Sequence, residues 1–394
     1  MKILFLTSRL PYPMNRGDKL RSFNFLSRLS KKHSVTLLSF IESDKQLPYV
    51  EELKKYCDKV EVVKLSCWQS YLNCLLNIFS IRPLQVSYYN SKKMRDKVKK
   101  IIASEKFDGI YIHLFRMAQF AEKIQGVSRI LDLCDAVSLH MKRTIKFNRG
   151  ILWPVYLLEY FRIKRYERKI IKKFNEVILI SENDKKEILG GTSGPSNIHI
   201  VPNGVDYEYF KPSPIDNHKI PRVAFLGYLS AFYNLDAVRY FYREIFPLIK
   251  ERVPQIKFSI IGANCPAELK KIAREDNAVE LFCDVKDTRP FLNQSLLFVC
   301  PLRIGSGAQN KILEAMSMGL PVVTTSIGYS GIGALKDREI VVVDEPRAFA
   351  ERIIDLINDG QLRNEISLNA RRFIENNYRW EDSISKIENL LQKY

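Results

Sequence analysis

The chain has 394 residues, 46% of them apolar, enough to bury two ordinary domain cores and too many for a single small module. Seventeen glycines, seventeen prolines and no low-complexity stretch exclude a fibrous or disordered chain. A formal charge of +18 calls for an anionic partner: nucleic acid, an acidic membrane or a phosphorylated substrate.

The start, MKILFLTSRLPYP, has too short an apolar core for a signal peptide and no small-residue cleavage pattern, so Lys2–Thr7 reads as a first strand. No uninterrupted apolar run approaches the roughly 20 residues that span a bilayer, and a soluble or surface-bound protein is expected. Seven scattered cysteines without a CxxC pair fit reduced thiols in a cytoplasm. None of the five histidines pairs with a cysteine at metal-ligand spacing, so no metal site is expected there.

After the first strand come a turn-rich segment, Ser8 to Asp18, a helix through Leu20, Phe23, Phe25, Leu26 and Leu29, and a strand at Val35–Phe40. Strand, loop, helix, strand argues for a parallel sheet, in which ligands sit beyond the carboxyl ends of the strands. The Arg9–Asp18 loop is therefore placed to touch one, and Gly17 either lets the backbone approach it or only makes a turn. Further strands are predicted at Val60–Val63, Gly109–Ile112, Arg129–Asp132 and Glu176–Ile180, so the first ~200 residues read as one doubly wound domain. His113, Asp132 and Asp135 fall at or just past strand ends, where a histidine is either structural or working.

Two stretches mix aromatic and basic residues: Cys67 to Tyr89, and His140 to Phe174. Each reads either as a surface that lies on an anionic bilayer or as core helix with a solvated basic face. Nucleic acid ranks below both, because no recognisable reading module is present.

Ile200-Val201-Pro202-Asn203-Gly204-Val205-Asp206 is turn chemistry followed by the linker-like Phe210 to Pro214, and a domain boundary is expected here. Strands then recur at Arg222–Gly227, Lys257–Gly262, Val279–Phe282, Leu296–Cys300, Val322–Thr325 and Ile340–Val343. Helices are expected at Leu235–Ile249, Pro266–Arg274, Lys311–Met318, Pro346–Ile357, Gln361–Glu375 and Trp380–Leu391.

Between the strand ending at Cys300 and the helix from Lys311 lies a loop with Gly305 and Gly307, which either only makes a tight turn or aims backbone N–H groups and a positive helix end at an anion. Arg303 and Lys311 bracket it. Glu314, one turn on, would be repelled by phosphate unless it accepts hydrogen bonds from hydroxyls, as a ribose offers. The combination suggests a nucleotide-diphosphate site.

The assembled pattern resembles the GT-B glycosyltransferases, specifically the retaining glycosyl transferases group 1 (family 4). The residues that carry the likeness are Pro202 to Asp206, Phe225-Leu226-Gly227 with Asn234 to Val238, Asp284 to Pro290, and Gly305 through Glu314 to Val323. Pro11-Tyr12-Pro13, Gly17-Asp18 and Arg21 look like the branch of bacterial sugar transferases found in exopolysaccharide gene clusters. The resemblance implies an α/β fold of two doubly wound Rossmann-like domains facing across a cleft. Residues 1–204, joined by a last helix at 379–394, would bind the acceptor, and 205–378 the nucleotide sugar.

It further implies that Glu314 accepts from the ribose, that amides of Ser306, Gly307 and Ala308 with Gly305 face the donor sugar and phosphates, and that Gly17, Gly227, Asn234 and Val285 line the donor. His113 resembles a cleft histidine beside the donor sugar. Three departures stand out, the first two being that Ser306 replaces a frequent glutamate and that Tyr228 to Tyr233 lack the usual cation pair. The cation role then falls to Arg303 and Lys311, with Arg9, Arg16, Lys19 and Arg21 on the acceptor side. Cys283 stands where a glycine is usual.

The expected activity is metal-independent transfer of a hexose from a nucleoside-diphosphate sugar to a lipid-linked or other anionic saccharide acceptor in polysaccharide synthesis. The expected place is the cytoplasm or the inner face of the plasma membrane, with no nucleic-acid partner. The alternatives are a nucleotide-sugar epimerase or hydrolase of the same shape, and a non-enzymatic basic binding protein.

Overall fold

The computed structural model describes residues 1–14, 16–147, 150–190, 194–212, 220–305 and 307–393. The chain divides into two compact units, Met1–Pro202 with Glu381–Tyr394, and Asn203–Trp380.

In the first unit seven strands form one parallel sheet: β1 (Lys2–Thr7), β2 (Ser34–Ile41), β3 (Lys59–Lys64), β4 (Gly109–His113), β5 (Ser128–Cys134), β6 (Glu176–Leu179) and β7 (Ile198–Ile200). Their spatial order is β3-β2-β1-β4-β5-β6-β7. Leu4 lies between Thr36 and Ile110 in register, so β1 and β4 are central and need helices over both faces. Leu4, Leu6, Ile110 and Ile112 pack with Met94, Val98 and Ile101 of the Lys92–Ser104 helix. On the other face Phe5 stacks on Tyr111, which meets Phe25 of the Gly17–Leu29 helix edge-on. The alternation of a fully buried strand thus feeds two different packing layers.

Strand β7 departs from expectation, since only turn chemistry was read around Ile200. Three residues at a sheet edge are too few to show a period. The Trp380–Leu391 helix joins this unit from Glu381 onward. Its Glu388 takes Lys32 at 3.1 Å and His33 at 3.0 Å, and Ser383 donates to the Pro202 carbonyl at 2.8 Å. A Cβ at Gly109 would sit 2.5 Å from a terminal methyl of Leu391, so the glycine leaves room for that side chain against the strand start.

The second unit is built on β8 (Arg222–Tyr228), β9 (Lys257–Ala263), β10 (Val279–Cys283), β11 (Leu297–Cys300), β12 (Val322–Thr324) and β13 (Val341–Val342). They lie parallel in the order β10-β9-β8-β11-β12-β13. The single helix expected at Leu235–Ile249 is three pieces, Phe232–Tyr240, one π turn at Phe241–Ile245, and Phe246–Arg252. Pro247 lacks the N–H that would continue the α-helical ladder, and the wider turn precedes it.

The expectation of reduced thiols throughout is corrected: Cys265 and Cys283 form a disulfide. The register sets Cys283 beside Gly262, so position 265 just past β9 falls within 5.9 Å, Cα to Cα. A separation of 18 residues gave no motif to notice. Among the described residues no helix is long and apolar enough to cross a membrane.

Candidate functional site

Each sheet has one point where successive connections leave in opposite directions, between β1 and β4 in the first unit and between β8 and β11 in the second. Ligands of doubly wound sheets bind beyond the strand ends at such points.

At the second switch point β8 ends in Gly227-Tyr228, and β11 runs through the glycine loop into the Asn310–Ser317 helix. A Cβ at Gly227 would lie 2.9 Å from Asn234 Nδ2 and 3.1 Å from Lys311 Nζ, so glycine leaves room for both groups. Asn234 is buried; its amide donates to the Tyr228 carbonyl at 2.9 Å, and its Oδ1 accepts from Lys311. The ammonium also sits 4.6 Å from the centre of the Phe225 ring. Burial pulls its pKa down, against Cys300 and Glu314, which raise it. Glu314 is half-buried one turn further, and burial pushes its carboxyl up to about 7 despite Lys311. A positive group and an acceptor thus stand side by side at the helix start.

Arg303 is held differently. Asp236 takes its guanidinium at 2.6 and 3.1 Å, and it lies over the Tyr240 ring at 4.5 Å, so its charge is largely compensated. Gly305 has ordinary contacts around it, Gly307 is left-handed at φ 64°, and Ala308 is half-buried before the helix. Ser306 lies outside the described residues. Val285 follows Asp284, which is left-handed at φ 54°. The Asp284 N–H donates to the Gly262 carbonyl at 2.8 Å and its carboxylate accepts from the Asn264 N–H at 3.0 Å. With the Cys265–Cys283 bond these contacts fix the rim beyond β9 and β10.

In the first unit Asp132 collects the neighbouring donors. Arg21 meets it at 2.8 and 3.1 Å, the Cys134 N–H at 3.0 Å, His113 Nδ1 at 3.1 Å, and the Tyr111 hydroxyl also donates. Burial alone would raise the Asp132 carboxyl; Arg21 and His113 hold it well below the usual range. Arg21, expected on the acceptor side, is wholly buried, and its guanidinium lies over Phe25. His113 is buried too, with Nε2 3.0 Å from the Asp18 carbonyl, so both ring nitrogens face oxygen acceptors. Leu114 after it takes φ 74°, rare for leucine, with its N–H bonded to the Asp132 carbonyl. His113, Asp132 and Cys134 bring ligand atoms within 4.8 Å of one another, yet the Arg21 guanidinium on that carboxylate opposes a cation, and the cluster is an ion-pair network.

Around it, Asp18 is shared by Arg9 at 3.1 Å and Arg116 at 3.7 Å, while Arg116 also donates to Ser8. Burial raises the Asp18 carboxyl, and Arg116, Arg9 and His113 together bring it below its ordinary value. Lys19 is buried beside it, Arg16 and Gly17 are exposed at the helix start. Three cations near one carboxylate leave a net positive strand end. Sequence reading passed over Arg116, although its place three residues after His113 put it beyond β4. A separate depression of about 460 Å³ at the Asp355–Leu362 turn has two aspartates and no cation in its lining, which suits no nucleoside diphosphate.

Residues 220–359 match the family model described as Glycosyl transferases group 1. The chain is 25% identical over 389 residues, 96% of each chain, to an uncharacterized 44.6 kDa protein in the cps region of Klebsiella pneumoniae. It is 22% identical over 357 residues, 83% of its own chain and 88% of the relative, to the Escherichia coli UDP-Gal:alpha-D-GlcNAc-diphosphoundecaprenol alpha-1,3-galactosyltransferase. The crystal structure of Anabaena HepE in complex with UDP matches over 100% of both chains with a TM-score of 0.73 at 16% identity. The fold is GT-B, two parallel-sheet units with helices over both faces.

Proposed function

We propose that the protein transfers a hexose, with retention, from a nucleoside-diphosphate sugar to a hydroxyl of a lipid-linked saccharide during cell-surface polysaccharide synthesis. The observation that carries this is the cradle at the second switch point, where Lys311 and the helix start face the room left by Gly227 and Glu314 stands one turn behind. Glu314 accepts the ribose hydroxyls, and the rim at Val285 meets the base. Relatives named for UDP-galactose and a diphosphoundecaprenol acceptor, and for a capsule region, support a UDP-hexose donor and a diphosphate-bearing acceptor.

As the glycosidic bond breaks, the diphosphate gains negative charge, which Lys311 and the N–H groups of the Gly305 loop stabilise without a protein nucleophile. The leaving phosphate takes the acceptor proton on the same face. Arg9, Arg116 and Lys19 hold the anionic acceptor, and His113 is kept in orientation by Asp132. No metal enters this scheme.

The deciding experiment measures thermal stabilisation of the purified protein by UDP-, GDP-, ADP- and TDP-hexoses, since a ligand of the native state raises its stability by mass action. One nucleotide class should shift the melting temperature, and Glu314→Ala should abolish the shift. If no sugar nucleotide stabilises the protein, the reading falls. Loss of turnover in EDTA, restored by Mg²⁺ or Mn²⁺, would overturn its metal-free part.

A further inference from the structure

The two aromatic-basic stretches of the first unit share one surface. The Cys67–Leu76 helix buries only Ser70 among its residues, while Trp68, Tyr71, Leu72, Leu75 and Leu76 stand exposed at helical spacing. Its apolar stripe therefore faces solvent, the reverse of an ordinary amphipathic helix. Trp68 is 88% exposed, and Phe79 in the following turn is 98% exposed.

The start of the Trp153–Ile170 helix repeats the pattern, with Ile151 96% exposed and Leu158 and Phe161 also outward. The two segments are joined: Arg162 donates to the Ile78 carbonyl, and the Glu159 carboxylate accepts from the Leu84 N–H at 2.6 Å. They make one apolar face, larger than the scattered hydrophobic residues normal on a surface.

Charge decides what covers it. No acidic residue occurs between Glu61 and Asp96, nor between Asp135 and Glu159. The acids of the Trp153–Ile170 helix, Glu159 and Glu167, are buried, whereas Arg165, Arg168 and Lys169 are exposed, as are Lys142 and Lys146 of the preceding helix. A second copy of this chain would set positive against positive. Tryptophan and tyrosine bordered by lysine and arginine are the composition of the water–lipid boundary.

We infer that this face of the first unit docks on an anionic lipid bilayer, the Cys67–Leu76 helix lying in the headgroup layer with its apolar stripe inward. The inference deepens the reading of a lipid-linked acceptor, because it brings the unit that binds the acceptor to the surface where the lipid resides. Its physical basis is independent of the donor site.

The test is sedimentation of the full chain with vesicles of phosphatidylcholine alone or mixed with phosphatidylglycerol. Binding to the mixed vesicles, weakened by salt, is the expected result, with a blue-shifted tryptophan emission quenched by brominated lipid. Joint replacement Trp68→Ser, Leu72→Ser, Leu76→Ser and Phe79→Ser should weaken binding by at least about tenfold. These positions are exposed, and circular dichroism with the sugar-nucleotide thermal shift verifies that the variant is folded.

Equal sedimentation of variant and parent, or none with either vesicle, overturns the proposal. So does a dimer that the substitutions dissolve without any vesicle binding, or binding of RNA in place of vesicles. Sugar-nucleotide stabilisation without vesicle binding refutes this surface and leaves the enzymatic reading standing; the opposite pair of results does the reverse.

Discussion

Lys311 donates its ammonium proton to Asn234 Oδ1 at the carboxyl end of β8, tying the start of one helix to the start of another across the switch point of the second sheet. Both anchors lie beside Gly227, where any side chain would intrude. The proposed donor site draws its cation from this helix, since Tyr228–Tyr233 contains no lysine or arginine.

Replacing Lys311 by methionine should therefore lower kcat/KM for the donor by about 100-fold, the usual scale for removing one preorganised charge contact. Arg303→Met should cost less than about tenfold, since Asp236 already neutralises that guanidinium. Steady-state kinetics of the two variants on one donor separates the roles; equal losses would remove the distinction.

Glu314 titrates at about 7 in the folded chain against an ordinary 4.5, because burial disfavours its charge. A carboxyl with a raised folded pKa binds its proton more tightly when folded. Its contribution is complete below about 4.5 and lost as pH rises to about 7 and beyond. Glu167 in the first unit is pushed to about 7 by burial in the same way. Melting curves between these limits should show stability falling with pH, and Glu314→Gln and Glu167→Gln should each flatten part of the slope. Donor affinity in the parent should rise through the same window as Glu314 ionises to accept the ribose hydroxyls.

Asp132→Asn leaves the buried Arg21 charge without its counterion and should destabilise the first unit by about 3–5 kcal/mol. Because the folded carboxyl titrates below its ordinary value, the pair contributes above that value and is lost as acid protonates Asp132. Joint replacement Arg21→Met with Asp132→Leu should recover most of the loss in a urea titration. Recovery of stability without recovery of turnover would assign Asp132 to positioning His113.

Reduction of the Cys265–Cys283 bond opens a loop of 18 residues and should lower the stability of the second unit by about 3 kcal/mol, the chain-entropy scale for a loop of that size. Calorimetry with and without dithiothreitol, and of Cys283→Ser, measures it. A matching loss of donor affinity would show that the rim leading to Val285 is ordered by the bond.

The sequence by itself determined the two doubly wound units, because buried parallel strands appear as apolar runs whatever surrounds them. It also marked Glu314, Lys311 and His113 through their places at strand and helix ends. Tertiary structure decided what local spacing cannot carry. Arg21 and Arg303 are equally basic in the sequence, yet one is buried on Asp132 and the other neutralised by Asp236, because partners 111 and 67 residues away meet them only in the folded sheet. Cys265 and Cys283 pair for the same reason. The Cys67–Leu76 helix has the period of a core helix, and only its neighbours reveal that the apolar side is turned outward, since periodicity gives a face and packing gives its direction.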